Sequence, residues 1–275
     1  MASSKASGKP RSDTPKSETA ETIRFFLKFA LIVFVLRSFI FSPFSIPSES
    51  MMPRLLIGDY LFISKWNYGY SRWSLPWGLP LIPGRIFASD PTRGDTVVFR
   101  SMEPDDHDVI KRVIGLPGDT VQMRNGQLFL NGKAIPKQRV ADFIVPITPN
   151  FPVEKCGTPF QALDAANKPI CRYPRFRETL PGGRSYEVLD QGNMPVADDT
   201  EVYTVPAGNV FLMGDNRDDS ADSRFAPPVG MGYIPMERIE GKAVVGFWST
   251  DGSAEWIKPW TWVSAARWSR IGEGF

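Results

Sequence analysis

One stretch limits the fold of this chain more than any other: Phe25 to Pro43, FFLKFALIVFVLRSFIFSP. It is the most hydrophobic segment of the protein, and only Lys28 and Arg37 interrupt it with charge. As a helix its nineteen residues would span about 28 Å, close to the hydrocarbon thickness of a bilayer. Lys28 can snorkel toward the near face, and Arg37 falls close to the far end. A cleaved secretory signal would be followed by small residues of the A-x-A type, whereas this chain continues FSPFSIPSES. An uncleaved transmembrane anchor over residues 23–43 is therefore expected, with a buried core helix as the alternative. Lys5, Lys9, Arg11, Lys16, Arg24 and Lys28 crowd the side before it. The positive-inside rule then keeps a polar, solvated tail (residues 1–22) in the cytoplasm and delivers everything beyond the anchor to the far side.

That topology sets how the rest is read. The chain has 42% hydrophobic and 23% charged residues, an ordinary globular mixture, with 32 basic against 30 acidic groups interleaved along it. No basic stripe marks a nucleic-acid partner. With one histidine and two cysteines, a four-ligand Cys/His zinc site is out of reach, and no metal or cofactor is expected. Beyond the membrane the compartment is oxidising, which favours a disulfide between Cys156 and Cys171; two partly buried thiols are the alternative.

Past the anchor, short apolar segments alternate with turns: DYLFIS (59–64), GDTVVFR (94–100), DVIKRVIGL (108–116), DTVQMRNGQLFLNGKAI (119–135), EVYTVPAGNVFLMGDN (201–216) and GKAVVGFWS (241–249). Asn125-Gly126 suits the positive φ angles of a two-residue hairpin, and Asn131-Gly132 marks a second one. Many short strands without intervening helices point to a mainly antiparallel β fold. The expected layout is a β domain from 44–135 and 201–250, a Pro-rich inserted subdomain over 136–200, and a Trp-rich segment over 251–275.

The chemistry begins with IPSESMMPRLLIGDY, residues 46–60, directly after the apolar segment. A serine hydroxyl needs a base within hydrogen-bond reach to act as a nucleophile. His107 lies among carboxylates in an apparent loop and fits an exposed loop histidine better than a base. In DVIKRVI, a strand would place Val109, Lys111 and Val113 on one face. A lysine between two valines is either desolvated and shifted toward neutrality, or a strand-edge residue whose amine reaches water.

PSESMMP with Gly58-Asp59, RGDTVVF, KRVIGLPGD and GDNRDDSADSR, in this order after a basic-flanked anchor, resemble the ordered boxes of bacterial type I signal peptidase (leader peptidase). The resemblance frames residues 37–249. It implies a Ser-Lys serine endopeptidase that removes signal peptides from secretory preproteins, anchored in the bacterial inner membrane with its catalytic domain on the periplasmic side. Ser50 corresponds to the nucleophile and Lys111 to the general base. Ser48 corresponds to the hydroxyl that joins the Ser50 N–H in the oxyanion hole. Ser220 corresponds to the residue that orients the lysine, Asp222 and Arg224 to a supporting ion pair, and Asp215 and Arg112 to a further support. The sequence departs from the family at Arg54, where Thr is usual, and at Asp219, where Asn is usual, and it shows one anchor where some relatives have two. The resemblance also assigns the substrate groove to Ile46, Pro47, Met51 and Leu55 on one side and Val109 and Ile110 on the other. Bulky apolar walls leave shallow pockets, so cleavage is expected after Ala-x-Ala. Trp66, Trp73 and Trp77, with Trp256, Trp260, Trp262 and Trp268, suit either contact with the lipid bilayer or packing in the core. A soluble self-cleaving repressor with the same dyad would lack the anchor, and a tethered noncatalytic scaffold would not need Ser50, Lys111 and Ser220 together.

Overall fold

The structure is a computed structural model that describes residues 18–102, 107–255 and 257–275; the basic residues at 5, 9, 11 and 16 and Trp256 lie outside them. A helix over Glu18–Val35 continues through a wider turn, Leu36–Ile40. The first part buries none of its residues and carries Glu18, Glu21, Arg24 and Lys28. No helix among the described residues is long and apolar enough to cross a membrane. The helix also ends sooner than the apolar segment does, because Phe41–Ser45 is an extended strand. Pro43 accounts for this: it disfavours helix in the residue before it and supplies no N–H. An edge strand tolerates such a residue, and among the described residues Phe41–Ser45 pairs only with Asp59–Ser64.

The main sheet has seven antiparallel strands in the order Phe41–Ser45, Asp59–Ser64, Ile239–Ser249, Thr96–Arg100, Asp108–Gly115, Asn209–Met213 and Ile234–Pro235. Five of these fall in the segments whose patterning marks strands; the two outermost do not. A second sheet joins Tyr203–Thr204, Thr120–Arg124, Gln127–Leu130 and Lys133–Ala134. Its hairpin turns at Asn125 and Gly126 with φ of 47° and 69°, the positive pair a two-residue turn needs. Between 136 and 200, where periodicity is weak, a third sheet forms from Lys137–Pro146, Pro169–Thr179, Gln161–Leu163 and Ser185–Leu189. Its pattern is diluted by outward Arg175 and Arg177, which pair across to Glu187. Cys156 and Cys171 are joined in a disulfide, Cα to Cα 5.8 Å.

One apolar cluster ties the sheets together: Ile114, Phe211 and Met213 of the main sheet meet Val121, Leu128 and Leu130 of the hairpins and Leu180 and Val188 of the insertion. Each such side chain contributes about 1.5–3 kcal/mol by leaving water, so the strands that carry the site are held rigidly from behind.

Candidate active site

In a flat sheet the first and fifth strands would lie about 19 Å apart, four strand spacings of roughly 4.8 Å. Twist and curl instead carry the loop that leaves the first strand onto the fifth, where Lys111 Nζ donates to Ser50 Oγ at 2.7 Å.

The loop is closed at its base. Ile46 N–H donates to Asp59 O (2.8 Å) and Gly58 N–H to Ile46 O (2.9 Å). Asp59, 4% exposed, accepts from Leu56 N–H and Ser249 Oγ, each at 2.8 Å, and pairs with Arg267 and Arg270 of the C-terminal segment. Within the loop, Met52 N–H donates to Glu49 O and Leu55 N–H to Met51 O, each at 2.9 Å, so Ser50 rides at the start of a tight turn. Met51 and Leu55 follow it directly into an apolar cluster with Ile46, Val98 and Ile110. Thus the residues that bury the turn bury it against the lysine strand.

Lys111 is 4% exposed and lies opposite Val97 of the neighbouring strand. Its other hydrogen bond goes to Ile110 O at 3.2 Å. Burial lowers its pKa to about 8; Asp222 and Asp215 act against this, and Arg224 adds to it. Among the described residues Lys111 has no ion-pair partner, because both carboxylates are already taken. Arg112 grips Asp215 through two hydrogen bonds of 2.7 and 2.6 Å, and Arg224 grips Asp222 through two of 2.9 Å. A buried amine facing a hydroxyl, with neighbouring charge neutralised, can accept that hydroxyl's proton.

The remaining residues expected here are distributed as follows. Ser48 is exposed, with its Oγ 3.4 Å from Ser50 Oγ. Among the described residues no acceptor takes the Ser50 N–H. Ser220 is buried, but among the described residues its Oγ has no hydrogen-bond partner, so the bond to the lysine that the resemblance implies is not formed in this structure. Pro47 is exposed, Val109 half-buried and Ile46 and Ile110 nearly covered; Met51 and Leu55 expose nothing and support the groove from beneath. His107 is exposed at the start of the lysine strand. Pairing with Asn209–Met213 begins only at Arg112, which leaves one edge of residues 108–111 open among the described residues.

Two residues inside the motif escaped the sequence reading. Gly214 has Ser220 Oγ and Ser50 O against its Cα: an added Cβ would lie 2.3 and 2.6 Å from them. Asn216 donates its N–H to Ser50 O at 3.1 Å and its Nδ2 to Glu49 O at 3.3 Å. A glycine next to the motif's Asp-Asn was the available signal for close backbone approach. The two departures from the family also find partners. Arg54 pairs with Glu273 (2.7 Å), and Asp219 accepts from Asn216 Nδ2 (3.2 Å).

An amine-primed serine on a curled antiparallel sheet is the arrangement of a nucleophilic hydrolase. A family model described as signal peptidase, peptidase S26, matches residues 19–248. Signal peptidase I of Rickettsia canadensis (strain McKiel) is 36% identical over 251 residues, 86% of this chain and 84% of that protein. Signal peptidase I of Rickettsia felis (strain ATCC VR-1525 / URRWXCal2) is 34% identical over 286 residues, 95% of this chain and 96% of that protein. Among solved structures, a signal peptidase I from Enterococcus faecalis V583 matches 56% of this chain and 97% of its own at 24% identity, with a TM-score of 0.28, too low to carry an argument. The chain belongs to the signal peptidase family of serine peptidases, peptidase S26.

Proposed function

We propose that this protein is a membrane-tethered endopeptidase that removes signal peptides from exported preproteins, with Ser50 as nucleophile and Lys111 as general base. The observation that carries the reading is the 2.7 Å contact from a buried, unpaired Lys111 Nζ to Ser50 Oγ. Neutral Lys111 takes the Ser50 proton as Oγ attacks the scissile carbonyl. The Ser50 N–H and Ser48 hydroxyl receive the developing oxyanion. Lys111 then passes the proton to the leaving amine, and a water activated by the same amine hydrolyses the acyl-enzyme. An extended substrate adds to the open edge of residues 108–111, as peptides do at unpaired strands. Val109, Ile110, Ile46 and Pro47 leave room beside that edge for a methyl group, hence a preference for Ala-x-Ala.

Tethering rests on the amino-terminal helix. Phe25, Phe26, Leu27, Phe29, Leu31 and Ile32 are each more than half exposed, and the helix between Lys28 and Arg37, apolar on all sides, calls for an apolar surrounding. With Leu36–Ile40, the helical run from 18 to 40 would be about 34 Å long. Tyr60, Phe247, Trp248 and Trp262 line an apolar hollow of about 540 Å³, flanked by exposed Trp260, Val263 and Trp268. This surface suits a headgroup layer, placing the groove beside the bilayer from which substrates emerge. The charge asymmetry puts the tail in the cytoplasm and the catalytic domain on the periplasmic side of the inner membrane.

The test uses purified full-length protein in detergent and a preprotein. Ser50→Ala and Lys111→Ala lower cleavage by about a thousandfold or more with the fold retained by circular dichroism, and His107→Ala cleaves normally. Substantial cleavage by Lys111→Ala would overturn the assignment.

A further inference from the structure

The insertion between 136 and 200 takes no part in the chemistry above, yet it meets the nucleophile loop at three points. At the front, Glu49, between the two serines, accepts from Lys155 Nζ at 2.8 Å. In the middle, Met52, 1% exposed, completes an apolar cluster whose other members include Val145, Cys156, Cys171, Tyr173 and Leu189 of the insertion. At the base, a Cβ on Gly58 would lie 2.2 Å from Asn150 Nδ2, which donates to Thr250 O at 2.8 Å. The disulfide stands at the centre of these contacts. Cys156 directly follows Lys155, and Cys171 lies on the insertion's central strand, opposite Val145 on one side and Gln161 on the other. Tyr173 Oη donates to Lys155 O (3.4 Å) and Gln161 Nε2 to Cys156 O (3.0 Å). The segment carrying Lys155 is otherwise two single turns, Val153–Lys155 and Thr158–Phe160, with little regular pairing of its own.

We propose that the insertion is a positioning element for attack by Ser50: the Cys156–Cys171 bond fixes the segment that bears Lys155, and this segment, with the pocket around Met52, sets the Ser50 turn against Lys111. The inference rests on the nucleophilic role of Ser50. Nucleophile and base contribute only within hydrogen-bond reach of each other, and small displacements of reacting groups cost large factors in rate. Freeing the segment should therefore lower kcat and change KM little, because the groove residues on 108–111 are held by a different strand and Ile46 is fixed at the loop base by its bonds with Asp59 and Gly58.

The experiment measures kcat and KM on a preprotein with full-length protein in detergent, well below the melting temperature of each variant. Cys156→Ala/Cys171→Ala is expected to lose about tenfold in kcat with KM within about twofold. Glu49→Lys and Lys155→Glu are each expected to lose about threefold in kcat, and the double swap to regain most of it, as for a partly exposed ion pair. A disulfide variant that melts earlier but keeps wild-type kcat overturns the proposal, as does a rise in KM alone. Should that variant not fold, the swap decides: no recovery in the double variant overturns it. Failure of the underlying reading would show separately, as cleavage by Ser50→Ala with the insertion intact.

Discussion

Two lysines of this protein are buried to the same degree, 4% exposed each, and the contrast between them defines the site. Lys65, just past the strand Asp59–Ser64, donates to Ser74 O at 2.8 Å and lies 3.7 Å from Glu240 Oε2. Lys111 faces a hydroxyl and a carbonyl, and every carboxylate that acts on it is held by an arginine. Burial lowers the pKa of both. At Lys65 a carboxylate shares the cost, and Glu240 is itself pushed up to about 8 by burial and by Asp108. At Lys111 no carboxylate forms an ion pair among the described residues, Asp222 and Asp215 offset burial only in part, and the amine is left at about 8. Burial alone does not make a base; burial with the counter-charges occupied does.

The largest expected effect separates the two lysines by activity. Ser50→Ala or Lys111→Ala lowers kcat/KM on a preprotein by about a thousandfold or more, since each removes one partner of a unit. Lys65→Met stays within about tenfold of wild type. Equal losses at both lysines would erase the distinction. Next comes the substrate: on the proposed shallow groove beside residues 108–111, Leu in place of Ala before the scissile bond is cut about 10–100-fold more slowly in a preprotein series. Equal rates would remove the shallow-pocket account and leave the dyad standing.

The same comparison predicts opposite effects on stability. The pKa of Lys111 falls from 10.5 unfolded to about 8 folded, so the unfolded chain binds the extra proton between these values. Stability therefore rises with pH across that window, and below it the buried amine costs about 3 kcal/mol. Lys111→Met should recover up to about that much in urea unfolding at neutral pH, with the gain fading from about pH 8 upward and gone above pH 10.5. Lys65→Met should destabilise by about 1–3 kcal/mol, more at alkaline pH, where Glu240 has to ionise without its partner. A destabilised Lys111→Met would break the contrast.

Smallest in activity is the effect of Asp222→Asn. Asp222 is the stronger of the two carboxylates that raise the pKa of Lys111, so the variant leaves burial and Arg224 opposed by Asp215 alone. The acid limb of activity shifts to lower pH, with a stability loss of about 3–5 kcal/mol from the unpaired Arg224. An upward shift would contradict the electrostatics.

What the sequence made legible follows from what is local. Ser50 and Lys111, whose side chains meet at 2.7 Å, were readable as candidates because the motifs are contiguous, and strands such as Asp59–Ser64 and Thr96–Arg100 because alternation is a neighbour effect. The Asn125-Gly126 turn was readable because its φ requirement is carried by two residues. Phe41–Ser45 was hidden in the apolar run before it, since its extended form comes from pairing with Asp59–Ser64. The insertion's sheet was hidden by polar outward faces. The clamp of Arg267 and Arg270 on Asp59, and the pairing of Lys65 with Glu240, join residues far apart in the chain, and neither partner carries a local mark of the other.

The central claim is that Lys111 works as a neutral amine, and the pH dependence of kcat/KM on a preprotein tests it most directly. Free-enzyme protonation of Lys111 removes the base, so kcat/KM should rise tenfold per pH unit on the acid side and level off above about pH 8, the pKa that burial gives this lysine. The limb should be absent from the residual activity of Lys111→Ala. A wild-type profile that stays flat down to pH 6 would contradict the account.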